Sequence, residues 1–329
     1  MELRGAHIAG LGAYVPDKVL TNDDIAQLVD TSDEWIVEHT GIRERHVVSE
    51  GEACSDLALG AARRAIEDAG ISPDDIGLVI AATITADMPI PVTACILQER
   101  LGIHGAGAFD LACGCTGWIL ALATGAQYVQ NGTFDHVLVV GAETLSRGTD
   151  WTDRATCVLF GDGACAAVIS PCEPGQGFLS FAMDTIGEAG PLLTIPAGGS
   201  KQRLTPELLA AHDDCIRMEG HEVFKLAVRG CPAIAEEALR RAGVDARDVD
   251  VAVPHAANRR IIDAAAKRLD IPSDRIVVNL DRYGNTSAAS IGLALDEYKR
   301  KTGLQQGDIV LLVAFGAGFS LAATVIRWV

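Results

Sequence analysis

The sequence predicts an α/β fold made of two similar halves. Segments with helical periodicity alternate with short apolar strands along the chain, which is typical of α/β proteins. Residues 59–79 predict a helix that ends at a glycine and is followed by an apolar strand, and residues 234–253 repeat this plan 173 positions later. The segment 135–140, an aspartate followed by a mostly apolar stretch, recurs at 308–313, again with an offset of 173. Two matches at one offset indicate a duplicated α/β unit.

The join between the halves is expected near residues 171–175, where prolines and a glycine predict a turn. This divides the chain into an N-terminal half, residues 1–171, and a C-terminal half, residues 172–329. Halves that meet face to face would bring residues from both to one site. Two independent domains with unrelated residues remain the alternative.

The bulk composition predicts a soluble globular protein and argues against several classes of partner. The chain has 329 residues, of which 49% are hydrophobic and 22% are charged, enough for one large core or two fused cores. A net charge of −17 argues against binding nucleic acid. Nine cysteines, an odd number, show neither a disulfide framework nor the paired spacing of a zinc site. No signal peptide or membrane-spanning run is evident, and a cytoplasmic protein is expected.

Three segments carry residues suited to chemistry. Cys115 precedes an amphipathic helix at residues 119–129, where unpaired backbone N–H groups and the helix dipole are expected to lower the pKa of the thiol. His255 follows a strand that ends in proline, and Asn285 precedes a helix start similar to that at Cys115. The two halves would place this histidine and amide opposite the cysteine. Together they are the groups needed for thioester chemistry.

Several longer motifs resemble those of the β-ketoacyl-acyl-carrier-protein synthase III family, and the resemblance runs essentially end to end. These motifs occur in the family's order at residues 31–37, 40–46, 160–163, 281–290 and 314–319. The resemblance implies the thiolase fold, in which two similar halves form five layers, α-β-α-β-α. Members of the family are usually homodimers.

The resemblance also implies a reaction, the condensation that starts fatty-acid synthesis. A short acyl-CoA would acylate the cysteine. Malonyl-acyl-carrier protein would then lose CO2 and attack the acyl group, a decarboxylative Claisen condensation that yields 3-oxoacyl-acyl-carrier protein. Acyl-CoA is a substrate in this scheme, and neither a resident cofactor nor a metal is expected.

Roles for individual residues follow from the same resemblance. Cys115 would be the nucleophile, and the backbone N–H groups of Cys115 and Ala317 would hold the oxyanion. His255 and Asn285 would donate hydrogen bonds to the malonyl thioester oxygen, while Phe315 would exclude water and disfavour the carboxylate.

Three further groups of residues are implied to bind substrates. Those expected to contact CoA are Trp35, Arg154 and Asn258. Those expected to line the acyl pocket are Ile90, which could reach across a dimer, together with Leu145, Phe160 and Ile216. Those expected to dock the acidic carrier protein are Lys225, Arg260, Lys267 and Arg268.

The sequence departs from the family pattern at three positions that should lie near the CoA and pantetheine path. His39 stands where an arginine is common, His221 replaces an asparagine, and Ala256 replaces a glutamine. These changes leave the donor preference open. The nearest alternative is a related enzyme of a secondary pathway, which either loads polyketide starter units or transfers an acyl group to a hydroxyl or amine. A non-catalytic partner of the same fold is a second alternative.

Overall fold

A nine-stranded sheet is the largest feature of the computed structural model, which describes residues 4–329. The described strands are β1 (Gly5–Tyr14), β2 (Val19–Thr21), β3 (Glu44–His46), β4 (Ile76–Ala82), β5 (Gly107–Leu111), β6 (His136–Thr144), β7 (Asp162–Cys172), β8 (Gly177–Thr185), β9 (Leu193–Thr194), β10 (Arg217–Met218), β11 (Val251–Pro254), β12 (Ile309–Gly316) and β13 (Ser320–Arg327). The described helices are α1 (Asn22–Ala26), α2 (Asp33–Thr40), α3 (Cys54–Ala69), α4 (Thr93–Arg100), α5 (Gly117–Gln130), α6 (Arg154–Cys157), α7 (Pro206–Ala210), α8 (Gly220–Ala242), α9 (Arg259–Leu269), α10 (Leu280–Tyr283) and α11 (Ser290–Lys301). The strand order in the sheet is β11-β12-β13-β8-β1-β7-β6-β4-β5.

The duplication predicted from the sequence is confirmed. Helices α3 and α8 both end before a glycine in the left-handed conformation, Gly70 and Gly243, which is a common helix C-terminus. β6 and β12 begin 173 residues apart, and α5 and α11 have the same offset. Each of these two helices follows a single 3₁₀ turn, Gly114–Thr116 in the first half and Ser287–Ala289 in the second.

The layers follow from the alternation of side chains along the strands. In β6, Val139 packs toward α5, whereas Leu138 packs on the other face among residues of α3. In β12, Leu312 joins the same core as α5 and α11, whereas Leu311 packs with α8. Strands covered on both faces are apolar at nearly every position. We call strands β5, β4, β6, β7 and β1 the first half-sheet, and strands β8, β13, β12 and β11 the second half-sheet. The result is five layers: α3, the first half-sheet, α5 with α11, the second half-sheet, and α8 with α9.

The two half-sheets meet at one parallel backbone pair, Ala6 of β1 with Gly177 of β8. A Cβ atom at Gly177 would lie 2.0 Å from the carbonyl oxygen of Ala6, and this close approach requires glycine. β7 ends at Cys172, and the turn that follows leads into β8. The division into residues 1–171 and 172–329 stays a prediction.

No helix within residues 4–329 has both the length and the hydropathy needed to cross a membrane.

Candidate active site

Cys115 lies in a turn between a strand and a helix. β5 ends at Leu111, the 3₁₀ turn Gly114–Thr116 carries the cysteine, and α5 begins immediately afterwards. Gly114 has a φ of +53°, a conformation that glycine adopts without steric cost. The turn leaves Cys115 half-buried at the wall of a cavity.

The end of β12 passes very close to this cysteine. A Cβ atom added to Gly316 would lie 2.9 Å from the backbone nitrogen of Cys115 and 3.0 Å from its Cβ atom. Such an approach leaves no room for a side chain. The next residue, Ala317, has its backbone nitrogen 3.6 Å from the position of a Cβ atom at Gly114. Ala317 therefore lies beside the cysteine turn, where the sequence predicts the second oxyanion donor.

His255 follows the end of β11 and is buried. Its backbone N–H donates to the carbonyl oxygen of Val313 at 2.7 Å, and its Nδ1 lies 2.7 Å from Oγ of Ser290. Its Nε2 is buried without a hydrogen-bond partner among the described residues. Burial lowers the pKa of His255 to about 3, and the imidazole is therefore neutral at physiological pH. The ring of Phe315 meets it edge-on, with 5.4 Å between centroids.

Asn285 is held by both its backbone and its side chain. Its N–H donates to the carbonyl oxygen of Leu159 at 2.8 Å, and its own carbonyl oxygen accepts from the N–H of Gly161 at 3.0 Å. Its side-chain oxygen accepts from the backbone N–H of Ser287 at 2.9 Å. This contact occupies the oxygen and leaves the amide Nδ2 as the group available to a substrate.

One cavity of about 580 Å³ brings these groups together. Its wall includes Cys115, His255, Asn285, Phe315 and Gly316. The cysteine of the first half therefore shares one cavity with the histidine and amide of the second half, as the sequence predicts.

A second, apolar pocket of about 220 Å³ also begins at Cys115. It is lined by three of the four residues predicted for the acyl chain, Leu145, Phe160 and Ile216. Ile90 is 85% exposed on the loop between β4 and α4 and does not line this pocket. Its predicted reach across a dimer stays a prediction.

The residues predicted to bind CoA lie on the main cavity or beside it. The Arg154 guanidinium carbon sits 4.7 Å from the centroid of the Trp35 ring, and His39 stacks on the same tryptophan at 4.2 Å between centroids. Asn258 caps α9, accepting from the N–H of Arg260 at 2.9 Å and donating to the carbonyl oxygen of His39 at 3.0 Å. Trp35, His39 and Asn258 line the cavity. Both ends of the Asn258 amide are already engaged within the protein.

The other departures from the family pattern lie at different depths. His221 lines the main cavity at the start of α8, as does Phe224 one turn later. Ala256 is buried next to the histidine and does not line that cavity.

The residues predicted to dock the carrier protein lie on α8 and α9. Arg260 lines the main cavity. Lys267 is on the same face of α9, two turns further along, and lines a neighbouring surface groove. Lys225 pairs with Glu222 at 2.8 Å, whereas Arg260, Lys267 and Arg268 form no ion pair with any residue that the structure describes.

The expected low pKa of Cys115 is wrong for the free enzyme. Burial raises the pKa of this thiol to about 12, a hydrogen bond with Ser287 opposes the shift, and the charge of Glu143 adds to it. The helix dipole acts on the thiol through the local chain, whereas desolvation depends on residues far away in sequence and outweighs it here. The resting thiol is therefore neutral and must lose its proton when it attacks.

Three polar residues around the site were not anticipated from the sequence. Ser290 orients His255, Ser287 orients Asn285, and Glu143 is a buried carboxyl that hydrogen-bonds to Ser287 at 3.3 Å. The repeat itself could have pointed to the two serines, because both lie in the 3₁₀ turn and helix start that correspond to the cysteine turn.

A cysteine, a neutral histidine and an amide on one cavity, within a duplicated five-layer α/β fold, define a thiolase-fold condensing enzyme of the acyltransferase type. Family models for 3-oxoacyl-[acyl-carrier-protein] synthase III match residues 109–187, and those for its C-terminal part match residues 239–328. The chain belongs to the 3-oxoacyl-[acyl-carrier-protein] synthase III family.

Individual relatives agree with this assignment. The chain is 51% identical to β-ketoacyl-[acyl-carrier-protein] synthase III of Desulfitobacterium hafniense, over 98% of this chain and 97% of that protein. The crystal structure of the synthase III from Thermus thermophilus superposes with a TM-score of 0.91 at 45% identity, covering 98% of this chain and 99% of that one. The priming β-ketosynthase of the R1128 polyketide pathway reaches a TM-score of 0.93 but is 34% identical, covering 99% of this chain and 97% of that one. The matches favour the fatty-acid enzyme over the polyketide alternative.

Proposed function

We propose that this enzyme catalyses the initiating condensation of fatty-acid synthesis, joining a short acyl group from acyl-CoA to malonyl-acyl-carrier protein with loss of CO2. The observation that carries the proposal is the convergence of Cys115, His255 and Asn285 on one cavity, with an apolar pocket opening from the same cysteine. The pocket would take the acyl chain and the cavity would take the pantetheine arm.

In the first half-reaction, the thiol of Cys115 attacks the thioester carbonyl and CoA leaves. Negative charge develops on the carbonyl oxygen, and the backbone N–H groups of Cys115 and Ala317 are the donors proposed to stabilise it. The glycine at position 316 permits the close approach that brings these two N–H groups together.

In the second half-reaction, His255 Nε2 and Asn285 Nδ2 donate to the malonyl thioester oxygen. Loss of CO2 then leaves an enolate, whose carbanion attacks the acyl group on Cys115. Donation from Nε2 requires the tautomer in which Nδ1 accepts from the hydroxyl of Ser290, and the 2.7 Å contact supports it. A neutral imidazole is suited to this task because the site is desolvated.

Phe315 supports the same step through its position. Its buried ring packs edge-on against His255 and face-to-face with Phe319. This apolar wall is poorly suited to a carboxylate, since a desolvated charge without a partner is costly. It is therefore expected to favour departure of CO2 and to keep water from the carbanion.

The binding of CoA and of the carrier protein belongs to the same proposal. Trp35 and Arg154 are close enough to contact each other, and an adenine could stack between them only after the guanidinium moves away. Arg260, Lys267 and Arg268, joined by Lys225, would attract the acidic carrier protein.

The assembly state and location are proposed by analogy with the family. β5 lies at the edge of the nine-stranded sheet, where a second copy could continue the sheet, and Ile90 is exposed nearby. We expect a homodimer that acts in the cytoplasm, without a resident cofactor or metal.

Intact-protein mass spectrometry after incubation with acetyl-CoA and longer acyl-CoAs tests the proposal. A single acyl adduct that is absent from Cys115→Ser and is discharged by malonyl-acyl-carrier protein would support it. No adduct from any acyl-CoA would contradict the initiating role.

A further inference from the structure

Glu143, near the end of β6, is a fully buried carboxyl that the proposed mechanism does not use. It accepts hydrogen bonds from the hydroxyls of Thr85 at 2.6 Å, of Thr83 at 3.3 Å and of Ser287 at 3.3 Å, and from the backbone N–H of Ile84 at 3.2 Å. It forms no ion pair within residues 4–329. Burial without a cation disfavours the charged form of a carboxyl, and such a group near an active site is a candidate for proton exchange.

Ser287 connects this carboxyl to the reacting groups. Its hydroxyl hydrogen-bonds to Glu143. Ser287 also lines the apolar pocket together with Cys115, and its side chain lowers the pKa of that thiol. Its backbone N–H holds the side-chain oxygen of Asn285. Its φ is +48°, in the left-handed region that residues other than glycine rarely adopt. One residue in a strained conformation thus contacts the amide and the buried carboxyl and lies on the same pocket wall as the nucleophile.

Glu143 has access to both of its protonation states. Burial raises its pKa to about 7, opposed by the hydrogen bonds from Thr85, Ile84, Ser287 and Thr83. When ionised, it raises the pKa of the thiols of Cys54 and Cys115. The carboxyl can therefore both accept and release a proton near neutral pH.

The carboxyl also lies next to a surface cleft that is separate from the substrate cavity. The hydroxyl of Thr85 accepts from the N–H of Thr144 at 2.8 Å and donates to Glu143. Thr85 lines a polar cleft of about 430 Å³, in which Glu52, Asp87 and Arg147 are the charged residues. Solvent in this cleft lies one hydroxyl away from the carboxyl.

We propose that Glu143, acting through Ser287, takes the proton of Cys115 when the thiol attacks and returns it when the thiolate is released. Glu143 thus acts only through Ser287 and is a positioning residue, whereas Ser287 exchanges the proton with the reacting sulfur. The inference deepens the proposed function and rests on it.

The protons and electron pairs balance over the two half-reactions. During acylation, the bond from Cys115 sulfur to the acyl carbon forms and the bond from that carbon to CoA breaks. The thiol proton passes to Ser287, whose own proton passes to Glu143, and the CoA thiolate takes a proton from solvent. During condensation, the new carbon–carbon bond forms and the acyl–sulfur bond breaks. Ser287 then protonates the sulfur and recovers its proton from Glu143.

The two half-reactions should therefore have opposite pH dependences. Acylation requires the ionised carboxyl and should accelerate as pH rises through about 7. Discharge by malonyl-acyl-carrier protein requires the protonated carboxyl and should slow over the same range. Rapid quenching followed by intact-protein mass spectrometry measures both rates between about pH 6 and pH 9.

Glu143→Gln keeps the size of the side chain but replaces the carboxyl with an amide, which cannot accept or release a proton near neutral pH. We expect acylation at pH 8 to slow on the order of a hundredfold, and the midpoint near pH 7 to vanish from both half-reactions. Ser287→Ala should give the same pH profiles because it breaks the connection. Asp162→Asn is the matched control, since Asp162 is a buried carboxyl that accepts from Val48 and Ser146 instead.

The outcomes separate the possibilities. A midpoint near pH 7 that persists in Glu143→Gln would assign the titration to another group and would overturn the inference. If Glu143→Gln lowers only the fraction of enzyme that can be acylated, with unchanged rates and pH profiles, the role of Glu143 is purely structural. That result would also overturn the inference. A wild-type enzyme that forms no acyl adduct would instead contradict the proposed function.

Discussion

Adding one methyl group at position 316 should disable acylation while leaving the fold intact. In Gly316→Ala, the new Cβ atom would lie 2.9 Å from the backbone nitrogen of Cys115 and 3.0 Å from its Cβ atom. Ordinary carbon contacts begin near about 3.5 Å, and one of the two chains must move by several tenths of an ångström. Gly316 does not have a positive φ, which means that the effect is steric.

The size of the effect follows from what this displacement does to the oxyanion donors. Loss of one such donor typically slows catalysis by about a hundredfold to a thousandfold, equivalent to roughly 3 to 4 kcal/mol. Overpacking costs about 1 to 3 kcal/mol of stability. We therefore expect acylation by acetyl-CoA to fall by at least about a hundredfold, with a smaller loss of melting temperature.

Rapid-quench mass spectrometry of the Cys115 adduct provides the assay. Gly199→Ala is the control, because a Cβ atom at Gly199 meets no atom within 4 Å among the described residues, and its φ is not positive. If Gly316→Ala forms the adduct at a rate within a few-fold of wild type, the close contact does not position the oxyanion donors.

Three other predictions address the histidine, the acid limit and carrier docking. Ser290→Ala removes the 2.7 Å contact with His255 and should slow discharge by malonyl-acyl-carrier protein by about tenfold, with little change in acylation. Burial, reinforced by a neighbouring histidine, lowers the pKa of His7 in the folded protein. Stability should therefore decline as pH falls below the unfolded value of about 6.5, and His7→Gln should lose less melting temperature between pH 7 and pH 5. Reversing the charges of Arg260 and Lys267 should raise the Michaelis constant for the carrier protein on the order of tenfold without changing acylation, and an unchanged constant would exclude this docking surface.

The sequence was sufficient for the fold because the fold repeats. The common offset of 173 residues appears in the helices, the strands and the turns before α5 and α11. It also explains why Cys115 could be placed opposite His255 and Asn285 before any distance was known. These inferences depend on periodicity and spacing, which a single chain displays directly.

The features that the sequence did not reveal depend on contacts between distant segments. Glu143 is held by hydroxyls from residues 83–85 and from Ser287, and no local pattern connects these segments. The pKa of Cys115 depends on how completely the surrounding chain excludes water. Likewise, two residues matched to a CoA site, Trp35 and Arg154, could not be known to lie against each other.

The turn that carries Cys115 has a counterpart in the second half with a different content. The position 173 residues after the cysteine is Ala288, within the matching 3₁₀ turn Ser287–Ala289. Its methyl group packs toward Gly117 at the start of α5. The two turns therefore share a backbone structure but differ in role. The first turn carries the nucleophile, whereas the second turn packs against the helix that follows it. The complete set of reacting groups therefore requires both halves, and a larger side chain at position 288 would press on the start of the helix that follows the cysteine.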